Sequence, residues 1–125
     1  MIYGIGVDLV KVARIERVLG RYGDRFCARV FTEREIAYCR GKSWAAAAFA
    51  MRFAAKEAFS KAIGTGIRSP FGWHSVAVGR DGRGKPGLVP SPDMARHLAG
   101  MGVTASHLSL TDDAGVAMAF VVLEG

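Results

Sequence analysis

Residues Ile2 to Leu9 alternate along the chain: Tyr3, Ile5, Val7 and Leu9 fall on one side, and Gly4, Gly6 and Asp8 on the other. That period predicts a strand. Its apolar side is core-like. Its glycine side reads as open to an approaching group, with Asp8 at the end. From Val10 to Phe26 the spacing changes. Val12, Ile15, Leu19, Tyr22 and Phe26 recur at three- and four-residue steps. Arg14, Arg17, Arg21 and Arg25 do the same almost half a turn away. This predicts an amphipathic helix whose outer face is an arginine ladder.

Thr32 to Arg40 predicts a short helix, opened by a Thr32/Glu35 capping box and stopped at Gly41. Ser43 is placed to cap a longer helix, Trp44 to Ile63, that ends at Gly64-Thr65-Gly66. Ser69 to Gly72 is a loop and His74 to Val78 a short strand. Asp81 to Gly84 has turn chemistry, which Lys85-Pro86-Gly87 continues. Pro92 to Ala99 predicts a helix. Val103 to Leu110 and Gly115 to Leu123 read as strands of an antiparallel hairpin around Thr111 to Ala114. The element order argues for an α+β fold, with a largely antiparallel sheet packed against a long central helix.

Length changes the picture little: 125 residues make one domain, residues 1–125. Half apolar (50%) and 22% charged, the chain is far from a disordered composition. Charge changes it more. There are 17 Lys and Arg against 11 Asp and Glu, for a net charge of +6 and a pI near 9.8. That balance favours an anionic partner. Cys27 and Cys39 show no metal spacing and read as buried thiols of a reducing compartment. No signal-like start is present, and the longest apolar run is Trp44 to Met51, far short of the roughly 20 residues that span a bilayer. The expectation is a cytoplasmic protein without a membrane segment. Phosphate-loop, dinucleotide-fold, zincin and serine-hydrolase motifs are all absent.

The long helix carries Arg52, Lys56, Glu57 and Lys61 among Phe49, Phe53, Ala54, Ala55, Ala58 and Phe59. Alone, Glu57 and Lys61 read as an exposed i,i+4 pair. On a helix apolar around most of its circumference, such charges are semi-buried and need partners. Asp8 reads locally as a helix cap or a partner for an arginine. If it meets Glu57, paired hard oxygen ligands suit Mg²⁺ rather than Zn²⁺. His107 stands in a strand between Ser106 and Ser109.

Several segments match one known family in order. Gly4-Ile5-Gly6-Val7-Asp8 resembles the opening G-I-G-x-D of the holo-acyl-carrier-protein synthases, and Phe31 to Glu35 resembles their F-T-x-x-E. Arg52 to Gly66 resembles their most specific run, R-F-A-A-K-E-A-x-x-K-A-x-G-T-G. Gly84-Lys85-Pro86 and His107 to Thr111 are similar to their G-K-P turn and H-V-S strand. The departures are Met51, where the family often has glycine, Thr111-Asp112, where it often has S-H, and an unmatched loop from Arg68 to Trp73.

The resemblance implies the 4′-phosphopantetheinyl transferase fold. It also implies transfer of 4′-phosphopantetheine from coenzyme A to a serine of apo acyl carrier protein, in fatty acid biosynthesis. Asp8 and Glu57 would then hold Mg²⁺ with the pyrophosphate, and Lys61 would contact the attacked phosphate. Arg52, Lys85, Pro86 and His107 would hold the nucleotide end. The serine proton would go to a metal-bound water or to Glu57. Arg14, Arg21 and Arg25 would dock the acidic carrier. The family is typically a homotrimer with sites between subunits.

A basic nucleic-acid-binding module using the arginine face is the alternative. It accounts for the charge but not for Asp8, Glu57 or the dense helix motif, and it lacks interleaved surface aromatics. A non-catalytic trimeric scaffold for carrier proteins would have shed the metal carboxylates, and both are present.

Overall fold

The computed structural model describes residues Met1–Gly125. Strand β1 (Ile2–Lys11) is followed by helices α1 (Val12–Tyr22), α2 (Asp24–Val30), α3 (Glu33–Arg40) and α4 (Ala45–Ala62). A small sheet, β2 (Val76–Arg80) with β3 (Pro86–Pro90), comes next. Helix α5 (Pro92–Gly100) and the hairpin β4 (Ala105–Asp113) and β5 (Val116–Glu124) complete the chain. The main sheet has the order β1-β5-β4 and every pairing is antiparallel. The α+β expectation holds, with α4 as the central helix against β1 and β5.

Which side of β1 faces the core is the reverse of the expectation. Tyr3, Ile5, Val7 and Leu9 are 48%, 53%, 48% and 64% exposed. The glycine side packs on α4 instead. A Cβ on Gly6 would lie 1.8 Å from the Ala58 carbonyl oxygen, and one on Gly4 would lie 2.0 Å from that of Ala62. The glycines therefore make room for a helix backbone, not for a ligand. The alanines of α4 meet them from the other side, with Ala54, Ala55 and Ala58 fully buried.

Boundaries also move. Val10 and Lys11 pair with Ala117 and Val116, so the strand runs on where a helix was expected. The expected single helix breaks at Gly23, whose φ of +52° costs glycine little. Trp44, not Ser43, caps α4, without a side-chain hydrogen bond. Pro86 and Gly87, expected as turn, instead open strand β3, which pairs with β2. The β4–β5 turn lies at Ala114-Gly115, both with positive φ, a geometry that matches strand twist. The Thr32/Glu35 capping box is present as expected.

Candidate active site

Asp8 pairs with Ala119 on the sheet face that looks at α4, where its side chain is 12% exposed. There it meets the last turns of α4. The Lys61 ammonium donates to the Val7 carbonyl at 2.9 Å and stands 3.3 Å from the Asp8 carboxylate. The Glu57 carboxyl lies beside that of Asp8. Burial and the neighbouring Asp8 charge push the Glu57 carboxyl above the ordinary range, while Arg14 and Lys61 pull the other way. Three residues singled out in the sequence, Asp8, Glu57 and Lys61, thus converge.

Two carboxylates forced together beside a flexible ammonium suit a small divalent cation, which relieves their repulsion and keeps other positions for water and phosphate. No group of three or more His, Cys, Asp or Glu side chains is assembled anywhere. An ion held by Asp8 and Glu57 would need its other oxygens from water or substrate.

The other singled-out residues lie elsewhere. Lys85, Pro86 and His107 line a second cavity of about 530 Å³, together with Arg34 and Arg80. His107 pairs with Val122, on the sheet face away from α4, so it does not meet Asp8 within one chain. Its Nε2 lies 2.6 Å from the Glu124 carboxylate, and the imidazole holds that carboxyl below its ordinary range. The Asp81 carboxylate accepts from Arg83 and Lys85 N–H at 2.8 and 2.9 Å, which closes the turn that presents Lys85 and lowers the Asp81 carboxyl.

Arg52 is buried and donates to the Ala48 carbonyl at 3.0 Å. Its guanidinium stacks 4.2 Å from the Tyr38 ring, which Arg80 and Lys42 also approach. Its Nε is the one buried side-chain polar atom without a hydrogen-bond partner.

Arg14 and Arg25 line an apolar groove of about 480 Å³ with Val18, Tyr22, Phe26 and Trp73. Phe53 also lines it, and the Arg14 guanidinium lies over that ring at 5.7 Å. Arg21 is exposed further along α1, over Tyr22.

The charge pair that sequence reasoning missed is Glu35 with Lys56. They meet at 2.8 Å and are 1% and 0% exposed. Lys56 also donates to the Val30 and Trp73 carbonyls at 2.8 Å each. Glu35 also accepts from Thr32 N and Val78 N. Burial pushes the Lys56 ammonium below the usual lysine range, and Glu35 opposes that. The only signal in the sequence was a lysine on an almost wholly apolar helix.

The family model of the 4′-phosphopantetheinyl transferase superfamily matches residues 4–119. The chain belongs to that superfamily. A holo-acyl-carrier-protein synthase of Koribacter versatilis is 46% identical over 124 residues, covering 99% of each chain. One of Geobacter sp. is also 46% identical, with the same coverage. The holo-acyl-carrier-protein synthase of Neisseria meningitidis superposes with a TM-score of 0.94 at 38% identity, covering 100% of both chains. That of Helicobacter pylori, solved with coenzyme A, gives 0.86 at 30% identity over 96% of this chain and 99% of its own. The transferase described here is an enzyme of the holo-acyl-carrier-protein synthase type.

Proposed function

We propose that this chain, as one domain of residues 1–125, transfers 4′-phosphopantetheine from coenzyme A to a serine of apo acyl carrier protein. Adenosine 3′,5′-bisphosphate is released, and the product serves fatty acid biosynthesis in the cytoplasm. The convergence of Asp8, Glu57 and Lys61 carries this reading. Asp8 and Glu57 would hold Mg²⁺ at the coenzyme A pyrophosphate. When bound, the ion neutralises charge on the attacked phosphate and the leaving bisphosphate. The serine oxygen forms a bond to the pantetheine-side phosphorus, and the bond from that phosphorus to the nucleotide-side oxygen breaks. Lys61 places its ammonium against the attacked phosphate, where charge develops. The serine proton goes to Glu57 or to a water held beside the carboxylate pair.

Coenzyme A titrated by calorimetry tests this assignment. Mg²⁺ tightens its binding to the wild-type chain, and Asp8→Asn removes that Mg²⁺ dependence. Equal Mg²⁺ dependence in both proteins would exclude Asp8 as a ligand.

The nucleotide end lies against Arg52, Lys85, Pro86 and His107. The buried Arg52 has no carboxylate partner, and an anion would complete it. His107 and Asp8 sit on opposite faces of the sheet, which supports a site completed by a second copy. So does the exposed apolar face of Tyr3, Ile5, Val7, Leu9 and Phe120. These features support association between copies, and the family resemblance implies that the assembly is a homotrimer. Light scattering gives three chains per particle, and Leu9→Asp shifts the mass to one chain. A wild-type monomer at assay concentration would exclude the shared site.

Arg14, Arg21 and Arg25 dock the acidic carrier. Arg25→Glu raises the carrier KM by roughly ten-fold at low salt, and the difference shrinks as salt rises. The coenzyme A KM stays as it was.

A further inference from the structure

Lys56 is a charge in the core that the reaction leaves without a task. It is fully buried and lies directly before Glu57, yet it points to protein groups alone. Its carbonyl partners are not scattered. Val30 ends α2, and Trp73 lies in the loop before β2; both line the groove that holds Arg14 and Arg25. Trp73 stacks on Phe53 at 5.3 Å, and Arg14 lies over the same Phe53 ring. A continuous set of contacts therefore runs from the Lys56 ammonium through Trp73 and Phe53 to Arg14, which also acts on the Glu57 charge. An ammonium with three acceptors, one of them a carboxylate, is a tight clamp on those backbones in a dry interior.

We propose that Lys56 is a positioning residue: by fixing the Val30 and Trp73 backbones it sets the wall of the groove that receives the acidic carrier protein. It touches neither coenzyme A nor the serine. The inference rests on the reaction assigned above. It goes beyond it by separating the two substrates. The basic cavity around Lys85 and His107 includes neither Val30 nor Trp73, so the effect of the clamp falls on the carrier groove more than on coenzyme A.

The double variant Lys56→Met with Glu35→Gln tests this. It leaves no unpaired buried charge, and the glutamine carbonyl keeps an acceptor for one of the two backbone N–H groups, Thr32 or Val78, that Glu35 serves. The folded variant is expected to raise the carrier KM roughly ten-fold and to keep the coenzyme A KM within about twofold. A role in stability alone would not split the two constants. Unchanged constants, or a parallel rise in both, would overturn the proposal. Lys56→Arg, which keeps the charge and moves the donors, gives the same readout if the double variant does not fold. Failure of both to fold would assign Lys56 to the fold only and overturn it too. The wild-type chain is assayed alongside. Should it transfer nothing, the assigned reaction falls, and the positioning role with it.

Discussion

Glu57→Gln abolishes transfer and leaves the protein folded and more resistant to unfolding. The expected loss in turnover is about a thousand-fold, the scale of removing a principal electrostatic element. Its carboxylate is half-buried and faces Asp8, so at neutral pH ionisation of Glu57 works against folding. The direction follows from linkage. A carboxyl raised in the folded state binds its proton more tightly there than in the unfolded chain. Stability therefore falls as pH rises from the ordinary carboxylate range through the raised folded value, and the cost stays in full above it. In metal-free buffer the wild-type protein shows that decline and the variant shows less of it. Mg²⁺ raises the melting temperature of the wild type by mass action and not that of the variant. Scanning calorimetry at several pH values checks both. A variant less stable than the wild type at neutral pH would show that Glu57 serves the fold.

The second large effect comes from a residue with no chemistry at all. Gly6→Ala places a Cβ 1.8 Å from the Ala58 oxygen, a backbone atom that cannot swing aside. The strand and α4 must part, at a cost of at least about 3 kcal/mol. Asp8 and Glu57 part with them, because Gly6 is two residues from Asp8 and Ala58 is next to Glu57. Activity falls even in the fraction that folds. Gly20→Ala is the control. Gly20 lies in α1 with open space at its Cβ, so alanine stabilises by about 0.5–1 kcal/mol. Urea unfolding of both variants decides. Equal effects would mean that the close approach of strand and helix carries no energy.

What the sequence disclosed and what it hid follow from how local each signal is. The capping box, the α4 motif and the β4–β5 hairpin are short-range patterns and were legible. Which face of β1 is inside was not. Apolar alternation normally marks the core side, but here the glycines meet an alanine-rich helix more than fifty residues away. Nothing local distinguishes glycine that admits a ligand from glycine that admits a helix. The apolar side then lies exposed in a single chain, where a second copy would cover it.

The site divides along the same line. The apolar setting of α4 and the glycine side of β1 singled out Asp8, Glu57 and Lys61, resemblance gave them roles, and their meeting depends on the β1–α4 packing. Glu35 had an evident local task in its capping box, which concealed its longer-range partner Lys56. The break at Gly23 was hidden because the apolar stripe continues through Tyr22 to Phe26 across it.

Group transfer at a Mg²⁺-dependent carboxylate pair has a direct readout. Intact mass spectrometry of an apo acyl carrier protein tests it most directly, after incubation with this chain, coenzyme A and Mg²⁺. The expected result is a gain of one phosphopantetheine group, lost with EDTA and with Asp8→Asn. No gain on several folded carrier proteins, or a gain indifferent to EDTA and to Asp8, would contradict it.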